Sequence, residues 1–439
     1  MKMNIRNIII ACCIALLTTE GAIAQENMSL SLEQCRKMAL EYSEDLKQAD
    51  NKMHQAELDK KIATTAFLPK FDASATGIYM FPDLDMMGME MRMRGTYMAG
   101  ITLTQPLYAG GKILTGRKMS RIGEEAANEQ YRMTRMDVLV ETDNAYWSYI
   151  AVNRKVKMLE SYCAQMDTIY RQIEAALSAG MATENDLLRI DAEHSNITYQ
   201  LQKARNGADL CRMALCRIIG VGYETLITPT DTLLSISHPG QLSGDISDRP
   251  ELHLLEKQVD VNKQQIKMAR ADMLPTLGLS VGYTYYGNIK LNSMVDAGNG
   301  TMVHTQEFKD GIGLAMVALQ IPILHWGENF KKVRKARYEL QNSQLQLQKN
   351  SRLLDLEVQQ AIRNLQDAYM LIGTAQKGLQ QANENLRVMR NRYAASMATL
   401  TDLLDVQSQW QQAESNYIEA QTQYKMCETE YLRATGHLE

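Results

Sequence analysis

The chain has 439 residues, a formal net charge of −4 and 45% apolar residues. That length allows two or more ordinary domains, and the mild acidity, with no basic stripe, argues against a nucleic acid partner. Aromatic residues make up 6%, most of them Tyr, and there are only 8 Pro, a composition that long helices tolerate well.

Residues 1–24 read as an export signal. Lys2 and Arg6 supply the positive segment, Ile8 to Leu17 the apolar core, and Ala22-Ile-Ala24 a small-residue cleavage site before Gln25. The apolar run is too short to be a membrane span. Ile9-Ile-Ala-Cys12 is a poor lipoprotein box, because apolar sequence continues past Cys12. Cys12 and Cys13 leave with the signal. The remaining Cys35, Cys163, Cys211, Cys216 and Cys427 are odd in number and contain no C-x-x-C. They read as small apolar fillers in helices rather than a disulfide framework. No later segment has the apolar length of a membrane helix, so membrane insertion would require a closed β-barrel.

Past an opening helix, the first strand alternates cleanly. Phe71, Ala73, Ala75, Gly77 and Tyr79 share one face, and Lys70, Asp72, Ser74 and Thr76 the other. A Met-rich stretch follows, with seven Met between Met80 and Met98, including Met89-Glu-Met-Arg-Met93. A soft-metal site for Cu(I) is one reading, and a Met-rich outer loop the plainer one. In the second strand Tyr97, Ala99, Ile101 and Leu103 oppose Gly100, Thr102 and Thr104. A long helix, a turn and a returning helix lead to Gly220. After an irregular connector the series repeats. Leu277, Leu279, Val281, Tyr283 and Tyr285 oppose Thr276, Gly278, Ser280, Gly282 and Thr284, and Ala315, Val317, Leu319 and Ile321 form the row of a fourth strand. Such alternation fits a half-buried soluble sheet or a membrane barrel with its apolar side outward. Segments of about ten residues suit a tilted membrane strand, and Tyr and Phe gather near the strand ends as an interfacial girdle requires.

The two halves align without a gap at an offset of 216 residues, clearest where Gly180-Met-Ala-Thr-Glu-Asn-Asp-Leu-Leu188 meets Ser396-Met-Ala-Thr-Leu-Thr-Asp-Leu-Leu404. The organisation predicted is a signal at 1–24, a first repeat at 25–220, a connector at 221–250 and a second repeat at 251–439. In the second repeat Val358, Leu365, Ile372, Leu379, Leu386 and Tyr393 recur every seven residues. A second seam runs Leu340, Leu347, Leu354, Ala361, Ala368, Ala375, Ala382 and Met389, and the first repeat carries the same seams. A strict heptad implies packed helices in a left-handed supercoil. The helix over residues 327–395 would be roughly 100 Å long. Four strands per chain leave two open edges, too few to close a barrel. The chain is therefore expected to assemble with itself, several copies contributing four strands each.

These features resemble the TolC-type outer-membrane efflux channels. The resemblance rests on Leu32-Glu-Gln and Ala39-Leu40, Phe67-Leu-Pro69 and Met273-Leu-Pro275 opening the strands, and Gln105-Pro-Leu-Tyr-Ala-Gly-Gly111 leading into the long helix. Asp248-Arg-Pro-Glu-Leu252 and the two tip motifs complete it. It implies a mainly α fold with short β strands and a homotrimer forming a 12-stranded barrel over an α-helical coiled-coil tunnel. It also implies a place in the cell outer membrane extending into the periplasm, a periplasmic adaptor and an inner-membrane pump as partners, and no enzymatic activity or cofactor.

The resemblance places the closed periplasmic end at the tips. Gly180, Met181, Ala182 and Thr183, with Ser396, Met397, Ala398 and Thr399, become the adaptor-contacting turns, and Asp402, Asp405, Asp186 and Tyr393 the constriction. Asp402 and Asp405 lie three apart on one helical face, so three copies would make two carboxylate rings. Thr183-Glu-Asn-Asp186 and Thr399-Leu-Thr-Asp402 also match an N-capping pattern, the plain structural reading. Tyr393 matches a family tyrosine that bonds to the acid equivalent to Asp186. Ala398 stands where some members carry a linking arginine, and Arg189 stands where the second repeat has Asp405. The seven His show no metal spacing with Cys or carboxylates, and no phosphate loop or nucleophile elbow is present. The competing function is a non-conducting periplasmic or surface coiled-coil scaffold or adhesin, which has no use for four membrane-length strands.

Overall fold

A computed structural model describes residues 27–86, 89–231, 236, 238–296 and 301–438; the signal segment and Met87 lie outside these. In chain order the elements are β1 (Asn27–Leu30), α1 (Leu32–Tyr42), α2 (Glu44–Thr65), β2 (Lys70–Tyr79), β3 (Leu84–Met86), β4 (Met89–Arg92), β5 (Arg94–Ala109), α3 (Lys112–Ser178) and α4 (Glu184–Ile219). They continue with β6 (Leu226–Pro229), α5 (Pro250–Ala271), β7 (Thr276–Asp296), β8 (Thr301–Gln320), α6 (Glu328–Ala394) and α7 (Leu400–Ala434). The fold is mainly helical.

The duplication is carried in the backbone itself. Helices α3 and α6 each have 67 residues and begin and end 216 apart. Left-handed residues recur at the same offset: Gly110 and Trp326, Gly111 and Trp326's neighbour Gly327, Gly180 and Ser396, Gly220 and Gly436. Each marks a place where a helix must start or stop. A positive φ breaks the helical run, and glycine adopts it at the least cost. Two of the four pairs are glycine in both copies, and for one of them, Gly220 and Gly436, the surroundings show a second reason. A Cβ on Gly220 would fall within 2.1 Å of the Tyr42 ring, and one on Gly436 within 2.7 Å of the Asp248 carbonyl oxygen.

The chain divides into two compact units. The first takes residues 27–49, 131–250 and 351–438, and its core follows the heptads. Val138, Tyr149, Leu159, Met166 and Ile173 are buried, as are Leu354, Val358, Ala361, Leu365, Ala368, Ile372 and Leu386. The connector contributes β6, which pairs in parallel with β1. A buried carboxylate ties three helices there: Arg36 Nε and Nη2 donate to Asp143 at 2.7 and 2.6 Å, and Thr429 Oγ1 donates to the same group at 2.6 Å. The hydrogen bond to Asp143 raises the Arg36 pKa further against the opposing effect of burial. Cys35, Cys216 and Cys427 are buried free thiols, and burial, then the charge of Asp231, pushes the Cys35 thiol up to about 12.

The second unit, made of described residues in Asp50–Gln130 and Glu251–Asn350, holds an antiparallel sheet ordered β2-β5-β7-β8. The short β3–β4 hairpin continues the β5 side of β7, with β4 pairing residues 290–293. The register puts Ile101 opposite Tyr283, Leu103 opposite Val281, and Val317 and Leu319 opposite Leu279 and Leu277. Since directly paired residues point to the same side, these form one apolar face. Val317 and Leu319 remain 63% and 61% exposed on it. Thr102, Gly282 and Leu314 share the opposite face. Pro106, which has no N–H to give the ladder, sits at the register shift between β5 and β7.

Two features depart from the sequence-based expectation. Strands of about ten residues are expected, but β5, β7 and β8 have 16, 21 and 20. Beyond Tyr286 the ladder shifts and resumes with Ile289 opposite Phe308, and polar pairs follow among the apolar ones, Lys290 opposite Glu307 and Asn292 opposite Thr305. Opposed charges and hydrogen-bonding pairs hold strands together without apolar alternation, so the period-two signal stops where the strand does not. In addition, β8 is apolar on both faces: Ile312, Leu314 and Met316, on the side otherwise polar, are 55%, 63% and 50% exposed.

The left-handed glycines can be tested by substitution. Gly436→Ala must take a strained φ of +80° and meet a carbonyl, and is expected to cost about 2 kcal/mol or more. Gly180→Ala has open space around it, and its counterpart Ser396 already holds a side chain at φ 59°; about 1 kcal/mol is expected. Thermal unfolding of the two variants, followed by helical circular dichroism, measures the difference.

Candidate functional site: the paired helical tips

Both tips are built by one hydrogen-bond scheme. At the first, Gly180 N–H donates to Leu177 O at 2.9 Å and Met181 N–H to Ala176 O at 2.8 Å; at the second, Ser396 donates to Tyr393 O at 2.9 Å and Met397 to Arg392 O at 2.7 Å. The six-to-one bond with a left-handed residue satisfies the last carbonyls of the long helices. One extended residue later the returning helices begin. Thr183 Oγ1 accepts from Asp186 N–H at 3.2 Å, while Asp186 Oδ2 accepts from Thr183 N–H at 3.1 Å and from its hydroxyl at 2.7 Å. Thr399 and Asp402 repeat this at 3.2, 2.9 and 2.7 Å. These reciprocal bonds satisfy first-turn N–H groups that have no helical partner.

The acids expected at the constriction are therefore not alike. Asp186 and Asp402 are capping residues, each held below the ordinary aspartate range first by the Thr side chain and then by the Thr backbone. Asp405 is exposed one turn further along α7. Tyr393 is half-buried, and its phenol is raised by burial and, secondarily, by the charge of Asp186.

The two hairpins meet around a groove of about 1140 Å³. Met181, Ala182, Asp186, Tyr393, Ser396, Ala398 and Thr399 line it, so most of the predicted tip residues converge there. Ile169, Ile173, Leu400 and Leu403 line it as well, and they belong to a buried cluster with Tyr162, Met166, Ile190 and Val406. Gln407 also lines the groove, fully buried, with both amide atoms lacking a hydrogen-bond partner. Two cross-hairpin bonds were not readable from sequence. Arg189 donates to the Thr401 hydroxyl, and Arg390 donates to the Gln165 side-chain oxygen. Burial lowers the Arg390 pKa. Each joins residues more than two hundred positions apart, and no local pattern announces it. Spacing along the sequence sets no His beside Cys or carboxylate as a metal motif would, but the fold brings Cys163, Asp167 and His194 together across α3 and α4.

Because the capping acids have depressed pKa values, their contribution is present above the ordinary aspartate value of 3.8 and is lost as pH falls below it. Amide protection in the first turns of α4 and α7, taken relative to intrinsic exchange at the same pH, is expected to fall at that acidity. Thr399→Ala, which removes one cap, is expected to cost ~1 kcal/mol and to speed exchange in α7 at neutral pH while leaving α4 unchanged.

Sequence and structure comparisons agree on what carries this architecture. The outer membrane efflux protein family matches residues 35–221 and 245–437. Outer membrane protein TolC of Escherichia coli (strain K12) is 22% identical over 333 residues, covering 73% of this chain and 66% of its own length. The alkaline protease secretion protein AprF of Pseudomonas aeruginosa is 22% identical over 75% of this chain and 68% of its own, and outer membrane protein OprJ of that organism 23% over 91% and 82%. The chain thus spans about two thirds of the length of the first two. Among solved structures, CusC superposes with a TM-score of 0.78 at 18% identity, covering 92% of each chain. The CmeC outer membrane channel of Campylobacter jejuni also gives 0.78, at 20% identity over 93% and 86%. The match covers most of both repeats, and the chain belongs to the outer membrane efflux protein family.

Proposed function

We propose that this protein is an outer-membrane exit channel, a passive conduit rather than an enzyme, serving a tripartite efflux or type I-like secretion system. The observation that carries the reading is the β2-β5-β7-β8 sheet, whose apolar face is exposed and whose outer strands, among the described residues, are paired on one side only. Three copies contributing four strands each make a twelve-stranded barrel with that face toward lipid. The names of relatives support the setting: TolC and OprJ are outer membrane proteins, and AprF is a protease secretion protein. In this reading a periplasmic adaptor docks on the two tip turns, and an inner-membrane pump delivers the substrate.

The constriction we assign to the tips has a division of labour. Asp402 holds its turn while contributing charge, and Asp405 contributes charge alone. In three copies they give six carboxylates facing a narrow opening, which attract cations and repel anions. The linking arginine absent at Ala398 has stand-ins in Arg189 and Arg390, which join the two hairpins by other routes.

Single-channel conductance in planar bilayers tests the channel and its constriction. Asp402→Asn with Asp405→Asn removes charge while the Asn oxygen keeps the cap. Reduced cation selectivity and weaker block by trivalent cations are expected. Unchanged block would take both acids out of the constriction, and absence of any conductance would remove the channel reading. The lipid-facing assignment has its own measure. Arg at Val317 or Leu319 near the bilayer midplane is expected to cost roughly 2–4 kcal/mol, and Arg at Thr102 far less, in refolding titrations into lipid vesicles.

A further inference from the structure

The first hairpin carries a cluster that the exit-channel reading does not use. Cys163 and Asp167 stand one turn apart on α3, and His194 faces them from α4. The thiol sulfur, a carboxylate oxygen and an imidazole nitrogen all lie within 4.8 Å of one another. His194 Nε2 is 2.8 Å from Asp167 Oδ1. Asp167 is half exposed, His194 about a third exposed and Cys163 partly buried. An ion can reach the group from solvent, while two packed helices hold the ligands in place.

The duplication supplies an internal control. The corresponding positions of the second repeat, 216 residues on, are Leu379, Asn383 and Trp410. There Trp410 Nε1 donates to Asn383 Oδ1 at 2.7 Å. Both hairpins are thus stapled at the same level by one polar bond between their helices. The second repeat does this with a trio that offers a metal little: an alkyl chain, a neutral amide and an indole that only donates. The first repeat has a sulfur, a carboxylate and an imidazole at all three positions. The staple alone requires only the Asp–His bond; it does not call for a thiol beside it.

We propose that Cys163, Asp167 and His194 form a binding site for a divalent ion of the zinc class, with solvent in the fourth position. One sulfur, one nitrogen and one oxygen from protein match the tetrahedral preference of Zn²⁺. The donor set is too soft for Mg²⁺ or Ca²⁺, which take oxygen ligands. As the ion enters, the Cys163 thiol releases its proton to solvent and the sulfur lone pair forms the bond to the metal. The ion replaces the Asp–His hydrogen bond as the link between α3 and α4, and stiffens the first hairpin but not the second. The site stands whether or not the chain conducts.

The test uses the full mature chain in detergent, with any polyhistidine tag removed and a phosphine reductant present. Co²⁺ is titrated first and then displaced by Zn²⁺. The expected result is one ion per chain, with the visible bands of a tetrahedral site and a near-ultraviolet thiolate charge-transfer band, both lost on adding Zn²⁺. Cys163→Ser, close to isosteric, is expected to lose the charge-transfer band, and His194→Gln to lose the tetrahedral spectrum. A transplant of the second repeat's trio, Cys163→Leu with Asp167→Asn and His194→Trp, should lose the ion. A wild-type chain that binds no Co²⁺, or binds it with an octahedral spectrum and no thiolate band, overturns the site. So does a Cys163→Ser variant with the wild-type spectrum.

Discussion

A sheet is complete only when its outer strands find partners, and among the described residues this one leaves two strands paired on one side only. Strand β8 is paired on one side along almost its whole length, and β2 likewise has β5 on one side only. In water, open edges of that extent invite association; in lipid, each unpaired backbone group costs several kcal/mol. The exposed Val317 and Leu319 make water a poor environment for the apolar face. Closure with further copies answers both constraints at once. In the proposed channel, assembly is then a condition of the membrane structure rather than an addition to it.

The tips answer a different constraint. A helix that reverses in four or five residues leaves carbonyls at one end and N–H groups at the other without partners. The chain resolves this twice in the same way, with a left-handed stop and a Thr–Asp box. Carboxylates are consequently present at the tips for reasons of folding alone. Any gating chemistry is laid over that requirement. This is why Asp186 and Asp402 do not serve as free charges to the same degree as Asp405, although all three look equivalent as acids.

Local, periodic signals made much of the fold legible. The seams of Val358, Leu365 and Ile372 appear in the sequence because every seventh residue meets the same neighbour, and all three are buried. The Thr–Asp boxes were legible for the same reason, since they act over three residues. Contacts formed by chain reversal left no such trace. Asp143, buried between Arg36 and Thr429, looks like any other helix acid. Cys163 and His194 are brought together by a turn lying between them. The outer halves of β7 and β8 were missed because pairs such as Lys290 and Glu307 stabilise a strand without apolar alternation.

The identity of the two tip turns, bond for bond, limits how anything can tell them apart. Their main chains present the same donors and acceptors at matching positions, so a visitor reading only backbone would meet two indistinguishable landing places on every protomer. Discrimination has to come from side chains: Ser396 in place of Gly180 within the turn, and a few substitutions just past it. Glu184 is exposed where the other copy buries Leu400, and Arg189 brings a cation where the other has Asp405. Those few positions set the vocabulary with which an otherwise repeated surface can be addressed one half at a time.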